Sequence, residues 1–181
     1  MKMRLKIIVL ALGLLLHGPL WAAVDTCGAE SLLTRIRFQE AVVKNITGVN
    51  GVAISTYAFE NPTGANAIVL VPGLGDASEL LEETIQDFYS AGFSVFILDH
   101  RGQGHSKILA SQVNSHVDSY ENYIADLTTF IDQVVQPKRF AKTFMLGNSM
   151  GAAIGLLYLK QNPDVFSKAV FLSPMYGLPI P

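Results

Sequence analysis

The chain has 181 residues, half of them apolar, with 13 Lys plus Arg against 15 Asp plus Glu. That length suits one domain with enough apolar material for a real core. With no basic excess, no Lys/Arg-rich run and no repeat or low-complexity block, nucleic-acid binding and repeat architectures are excluded.

The first element is unlike the rest. Lys2, Arg4 and Lys6 precede the apolar run Ile7 to Leu16, followed by Gly18, Pro19 and the small pair Ala22-Ala23. Basic, apolar and small residues in that order predict a secretory signal peptide over residues 1–22, and a secreted or periplasmic protein. The run is short for a bilayer span, which leaves an uncleaved N-terminal membrane anchor as the alternative. Cys27 is the sole cysteine, so there is no intramolecular disulfide framework. Val24-Asp25-Thr26 before it does not suit a lipid-modified cysteine. Residues 23–48 are read as an N-terminal segment, and 49–181 as the α/β unit.

From about residue 50 strand-like and helix-like segments alternate. "GVAISTYAFE" reads as a strand by its β-branched and aromatic content. "NAIVLVPG" is a continuous apolar run ending at Pro72-Gly73, as in a strand buried on both faces. Asp76 with Glu79 predicts a helix start, continuing through Leu80, Leu81, Ile85, Phe88 and Tyr89 to Gly92. "FSVFILDH" is the next buried strand. Asp118 with Glu121 opens a second helix. Its residues Tyr120, Tyr123, Ile124, Leu127, Phe130, Ile131 and Val134 recur in threes and fours, and Pro137 stops it. "TFMLGN" is a third buried strand, Met150 to about Gln161 a third helix, and "KAVFLSP" the last strand. Such alternation predicts an α/β fold, a mostly parallel sheet with helices on both faces.

Gly147-Asn148-Ser149-Met150-Gly151 lies at one of these strand-to-helix junctions. A serine exposed there must turn sharply out of the strand, and Gly147 and Gly151 remove side chains where the turn is crowded. The helix that follows aims free N–H groups and its positive dipole end at the serine. Ser149 is therefore a candidate nucleophile; the competing reading is a surface serine in a glycine-rich packing turn. A nucleophile of this kind needs donors for the developing oxyanion. The Met150 N–H is one candidate, and the Leu74 N–H, between Gly73 and Gly75 in "VPGLGDAS", is the other. A dinucleotide loop fits that segment poorly, because the third glycine is missing and Asp76 would repel pyrophosphate.

"LDHRGQGHS" (Leu98 to Ser106), "LGNSMG" (Leu146 to Gly151) and "LSPMYG" (Leu172 to Gly177) occur in that order. With the intervening helix they resemble the α/β-hydrolases of the monoacylglycerol lipase and bacterial lysophospholipase branch, which are serine aminopeptidase S33-like. The resemblance extends from about Asn66 to Gly177. It implies Ser149 as nucleophile and Leu74 and Met150 as oxyanion donors. It also implies single-chain lipid esters as substrates, with peripheral contact to membrane lipid. Asn148 stands where the family usually has His, which alters the pocket wall. Pro72-Gly73 stands where many members carry His-Gly.

In this fold the triad runs Ser, then Asp or Glu, then His. After Ser149 there is Asp164, a turn residue beside Pro163, and no histidine. His17 lies in the leader; His100, His105 and His116 precede the serine. The histidines lack metal-ligand spacing, and neither a metal nor another cofactor is implied. The expectation is a hydrolase domain truncated after about its sixth strand, without cap, final strands, or triad Asp and His. The leading function is a serine hydrolase cleaving lysophospholipids or monoacylglycerols in its full-length form, with this chain inactive on its own. The alternative is a non-catalytic module of the same fold that binds a lipid or partner protein. Peroxidase or dehalogenase chemistry is a further option on this fold, although dehalogenation prefers Asp where Ser149 stands.

Overall fold

The computed structural model describes residues 41–106 and 117–177. The leader, His17, Cys27 and His116 lie outside the described residues.

Among the described residues there are six strands: β1 (Val42–Thr47), β2 (Ala53–Phe59), β3 (Asn66–Val71), β4 (Phe93–Leu98), β5 (Lys142–Asn148) and β6 (Lys168–Leu172). They form one sheet in the order β1-β2-β4-β3-β5-β6. The pairs β4–β3, β3–β5 and β5–β6 are parallel, and β1–β2 and β2–β4 antiparallel. Three helices are described: α1 (Glu82–Ser90), α2 (Glu121–Phe130) and α3 (Met150–Gln161).

The central strands are continuously apolar because both faces are covered. Ala67, Val69 and Val71 of β3, with Phe96 and Leu98 of β4, join the core packed under α2 and α3. The alternating residues Ile68, Leu70, Val95 and Ile97 pack with Ile85 of α1 on the other side. Leu127, Phe130 and Ile131 are fully buried; burying each such side chain stabilises by roughly 1.5–3 kcal/mol.

Three local features differ from the sequence expectation. The strand β1 precedes the boundary placed at 49 and extends the sheet back to Val42. Its alternation is masked because, of its six residues, only Ile46 is buried. The helix expected from Asp76 starts later: Ser78–Leu81 is a 3-10 turn, and α1 begins at Glu82. The Asp76 carboxylate accepts from the Gly73 N–H at 2.9 Å instead, so the loop uses the group that would have capped a helix. Finally, α2 continues past Phe130 as a π-type turn, Ile131–Val135, and a 3-10 turn, Gln136–Lys138. The reversal occurs at Arg139, with φ +54°, just beyond Pro137.

The strand order decides where a site can form. The chain leaves β3 toward β4 on one side and returns to β5 on the other, so β3 marks a topological switch point. The carboxyl ends of β3 and β5 adjoin there, which is where open α/β sheets bind ligands.

Candidate functional site

Ser149, at the carboxyl end of β5, has φ +50° and ψ −115°, a conformation that side-chain-bearing residues rarely adopt. The surroundings hold it there. The Ser149 N–H donates to the Leu172 carbonyl at 2.9 Å. The Ser149 carbonyl accepts from Met175 N–H at 3.1 Å and from Ala152 N–H at 3.1 Å. A Cβ on Gly151 would overlap the carbonyl oxygens of Val71 and Pro72, and one on Gly147 would come within 2.8 Å of Ala152 Cα. Both glycines therefore allow the turn to sit against β3 and α3. Met150 opens α3, so its N–H is among those with no intrahelical acceptor.

The loop after β3 lies beside the serine. A Cβ on Gly73 would stand 3.4 Å from Ser149 Cβ and 3.4 Å from Asn148 Nδ2. Gly75 turns the loop with φ +80°. Leu74 presents a half-exposed side chain, and its N–H donates to no described residue. The structure thus brings Gly73, the residue before Leu74, against Asn148 and Ser149 across more than 70 residues of sequence.

The two described histidines are engaged elsewhere. His100 is buried and its Nε2 lies 3.1 Å from the Pro72 carbonyl, to which it donates. Its ring meets Tyr123 edge-on at 5.4 Å. Burial lowers its pKa to about 4, against a partial rise from the Pro72 hydrogen bond and from Asp126, Asp99 and Asp76. It is a neutral imidazole at pH 7. His105 is exposed; its Nδ1 lies 2.8 Å from Tyr57 Oη, and its Nε2 3.6 Å from Glu79 Oε1. Burial and the nearby Asp99 charge push the Tyr57 phenol up to about 12.

The segment Asp99 to Ser106 carries polar side chains whose partners its sequence does not reveal. Asp99 is fully buried and accepts from Ser78 N–H and His105 N–H, each at 2.7 Å. Arg101 forms a buried two-point ion pair with Asp126 of α2 at 2.7 and 2.8 Å. Asp126 Oδ1 also accepts from Val49 N–H at 3.0 Å. Gln103 Oε1 accepts from Gly75 N–H. The signal that could have found these residues is polar side chains directly after an apolar strand, where a turn must be satisfied internally. Among the described residues no three His, Cys, Asp or Glu side chains converge as a metal-binding group.

An apolar cavity of about 390 Å³ adjoins the elbow, lined by Tyr120, Leu156, Leu157, Met175 and Tyr176 among others. It reaches the serine's backbone through the Met175 bond, and Tyr120 Oη donates to the Met150 carbonyl at 3.3 Å.

The family model described as serine aminopeptidase, S33, matches residues 63–181. Among curated proteins, lysophospholipase L2 of Escherichia coli is 35% identical over 135 residues, covering 74% of this chain and 40% of that protein. Human monoglyceride lipase is 29% identical over 119 residues, covering 65% of this chain and 38% of that protein. The chain thus spans about 40% of the length of these relatives. Among solved structures, a thermostable carboxyl esterase from Bacillus coagulans superposes with a TM-score of 0.64 at 24% identity, over 72% of this chain and 43% of that one. A haloalkane dehalogenase from Agrobacterium tumefaciens superposes at 0.58 and 21% identity, over 74% and 41%. The two names carry different chemistries, so this likeness shows the α/β-hydrolase fold and not the reaction.

Proposed function

This chain belongs to the serine aminopeptidase S33 family, and on that premise we propose that the protein carrying it hydrolyses carboxylic esters of single-chain lipids, lysophospholipids or monoacylglycerols. The observation that carries the proposal is Ser149 held at φ +50° between Gly147 and Gly151, with Gly73 of the neighbouring loop against it. In this scheme the Ser149 hydroxyl attacks the ester carbonyl while a general base takes its proton. The Leu74 and Met150 N–H groups receive the charge that develops on the carbonyl oxygen. The alcohol leaves, and water then releases the fatty acid from the acyl-serine. Neither described histidine suits the base: His100 is buried against Pro72, and His105 sits between Tyr57 and Glu79. The acid and base are therefore assigned to residues outside the described ones. No cofactor enters the scheme.

The apolar cavity at Tyr120, Leu156, Leu157 and Met175 supports a substrate with a hydrocarbon chain. The basic, apolar and small order of residues 1–22 supports a secreted or periplasmic location for the same protein. Contact with membrane lipid follows from such a substrate.

The test is a fluorophosphonate probe on the natural full-length polypeptide, followed by lysophospholipid and monoacylglycerol assays. Labelling at Ser149, with ester hydrolysis lost by at least about 10³-fold in Ser149→Ala, is expected. A folded full-length protein that neither labels nor hydrolyses either ester class would replace this function with a non-catalytic binding role.

A further inference from the structure

Side chains tie down four backbone groups of the loop from Pro72 to Ser78, and within it the Asp76 N–H donates to the Gly73 carbonyl at 3.4 Å. The Pro72 carbonyl accepts from His100 Nε2 at 3.1 Å, and Gly73 N–H donates to Asp76 Oδ2 at 2.9 Å. Gly75 N–H donates to Gln103 Oε1, and Ser78 N–H to Asp99 Oδ1 at 2.7 Å. Three of these four partners come from one short segment, Asp99 to Gln103, which follows β4. A backbone N–H between the ties, that of Leu74, donates to no described residue.

Peptide units are rigid planes, so a unit is aimed by fixing the units on either side of it. The unit before the Gly73–Leu74 peptide is held at its carbonyl by His100 and at its N–H by Asp76. The unit after it is held at the Gly75 N–H by Gln103. The Gly73–Leu74 unit itself is held by the long 3.4 Å bond from the Asp76 N–H to the Gly73 carbonyl; Gly73 and Gly75 have no Cβ to restrict them, so without the side-chain ties the Leu74 N–H gains freedom to turn.

We propose that Gln103 is a positioning residue: by holding the Gly75 N–H it aims the Leu74 N–H at the oxygen of the reacting ester. This rests on Ser149 as nucleophile and Leu74 as oxyanion donor. The orientation of the Gln103 amide follows from its partner, since a backbone N–H requires the oxygen end. Its Nε2 is buried and makes no hydrogen bond in the structure. Gln103→Met removes the acceptor at nearly constant volume, whereas Gln103→Asn keeps an uncharged amide but draws it one methylene back from the Gly75 N–H.

Two measurements on the natural full-length polypeptide decide it. The first is amide hydrogen exchange at Gly75, which needs no activity. Exchange is expected to quicken by tenfold or more in Gln103→Met, as roughly 1.4 kcal/mol corresponds to tenfold. The second is steady-state ester hydrolysis. A misaimed donor weakens only the transition state, so kcat in Gln103→Met is expected to fall by roughly tenfold to a hundredfold, with KM held within about threefold. Unchanged Gly75 exchange in Gln103→Met overturns the proposal. So does faster exchange with kcat intact, which would leave only a structural tie. If Gln103→Met does not fold, Gln103→Asn serves in its place: faster Gly75 exchange with a lower kcat supports the proposal, and unchanged exchange or unchanged kcat in that folded variant overturns it. A wild-type protein without ester hydrolysis sinks the function instead; the exchange measurement then still decides whether Gln103 holds the loop.

Discussion

The Ser149 N–H donates to the Leu172 carbonyl at 2.9 Å, fastening the tip of the elbow to the end of β6. The Met175 N–H closes on the Ser149 carbonyl from the same segment at 3.1 Å. A residue at φ +50° and ψ −115° is strained by about 1–3 kcal/mol unless it is glycine. These bonds, with the packing of Gly147 and Gly151, offset that strain.

Ser149→Gly should therefore stabilise the fold while removing the hydroxyl. Strain relief, less the added freedom of glycine in the unfolded chain, predicts a net gain of about 1 kcal/mol. Urea denaturation measures it. A loss of stability would mean that the serine side chain itself supports the turn.

Gly151→Ala should act in the opposite direction. Its methyl would enter the space of the Val71 and Pro72 carbonyl oxygens, which belong to backbone and cannot rotate away. A destabilisation of about 1–3 kcal/mol is expected, along with a displaced elbow. Thermal melts and fluorophosphonate labelling of Ser149 check the two effects separately.

The Arg101–Asp126 pair is the buried charge pair joining the segment after β4 to α2. Arg101→Met leaves the Asp126 carboxylate buried with only the Val49 N–H, and should cost about 3–5 kcal/mol. The double variant Arg101→Met, Asp126→Leu should recover much of that loss, because no charge is then stranded. A double-mutant cycle in urea reads the coupling. Equal losses in the single and double variants would mean that the pair acts mainly through packing.

His100 ties stability to pH. Its folded-state pKa of about 4 lies below the ordinary 6.5, so between these values the unfolded chain binds more protons than the folded one. The contribution of the neutral ring is complete above pH 6.5, declines as the pH falls toward 4, and changes no further below that. Its full size is roughly 3 kcal/mol. His100→Gln keeps a donor for the Pro72 carbonyl but does not titrate, so its stability profile should be flatter across this window. Parallel slopes for wild type and variant would rule out His100 as the titrating group.

The α/β class was legible because its signals are local. Apolar runs such as "NAIVLV" and "FSVFIL" need no partner to be recognised, and the α2 periodicity appears within one segment. The turn at Ser149 was legible for a similar reason: small residues at Gly147 and Gly151 record crowding by neighbours without naming them. The strand β1 was hidden because five of its six residues face solvent at the sheet edge, where burial imposes no alternation. Asp76 and Glu79 suggested a helix start, but a loop hydrogen bond competed for the Asp76 side chain.

The sequence by itself determined the alternation of strands and helices from β2 onward, the place of the sharp turn, and the lack of a histidine between Ser149 and Pro181. Only the tertiary structure decided that the Pro72–Ser78 loop lies against that turn. It also decided that His100 is consumed by Pro72 and that Gln103 reaches Gly75. The latter two contacts each join residues 28 apart, and the Val49–Asp126 bond joins residues 77 apart. Periodicity and glycine spacing reflect what a segment needs from its surroundings. Which groups supply it depends on the order of strands in the sheet, and that order is a property of the packed core.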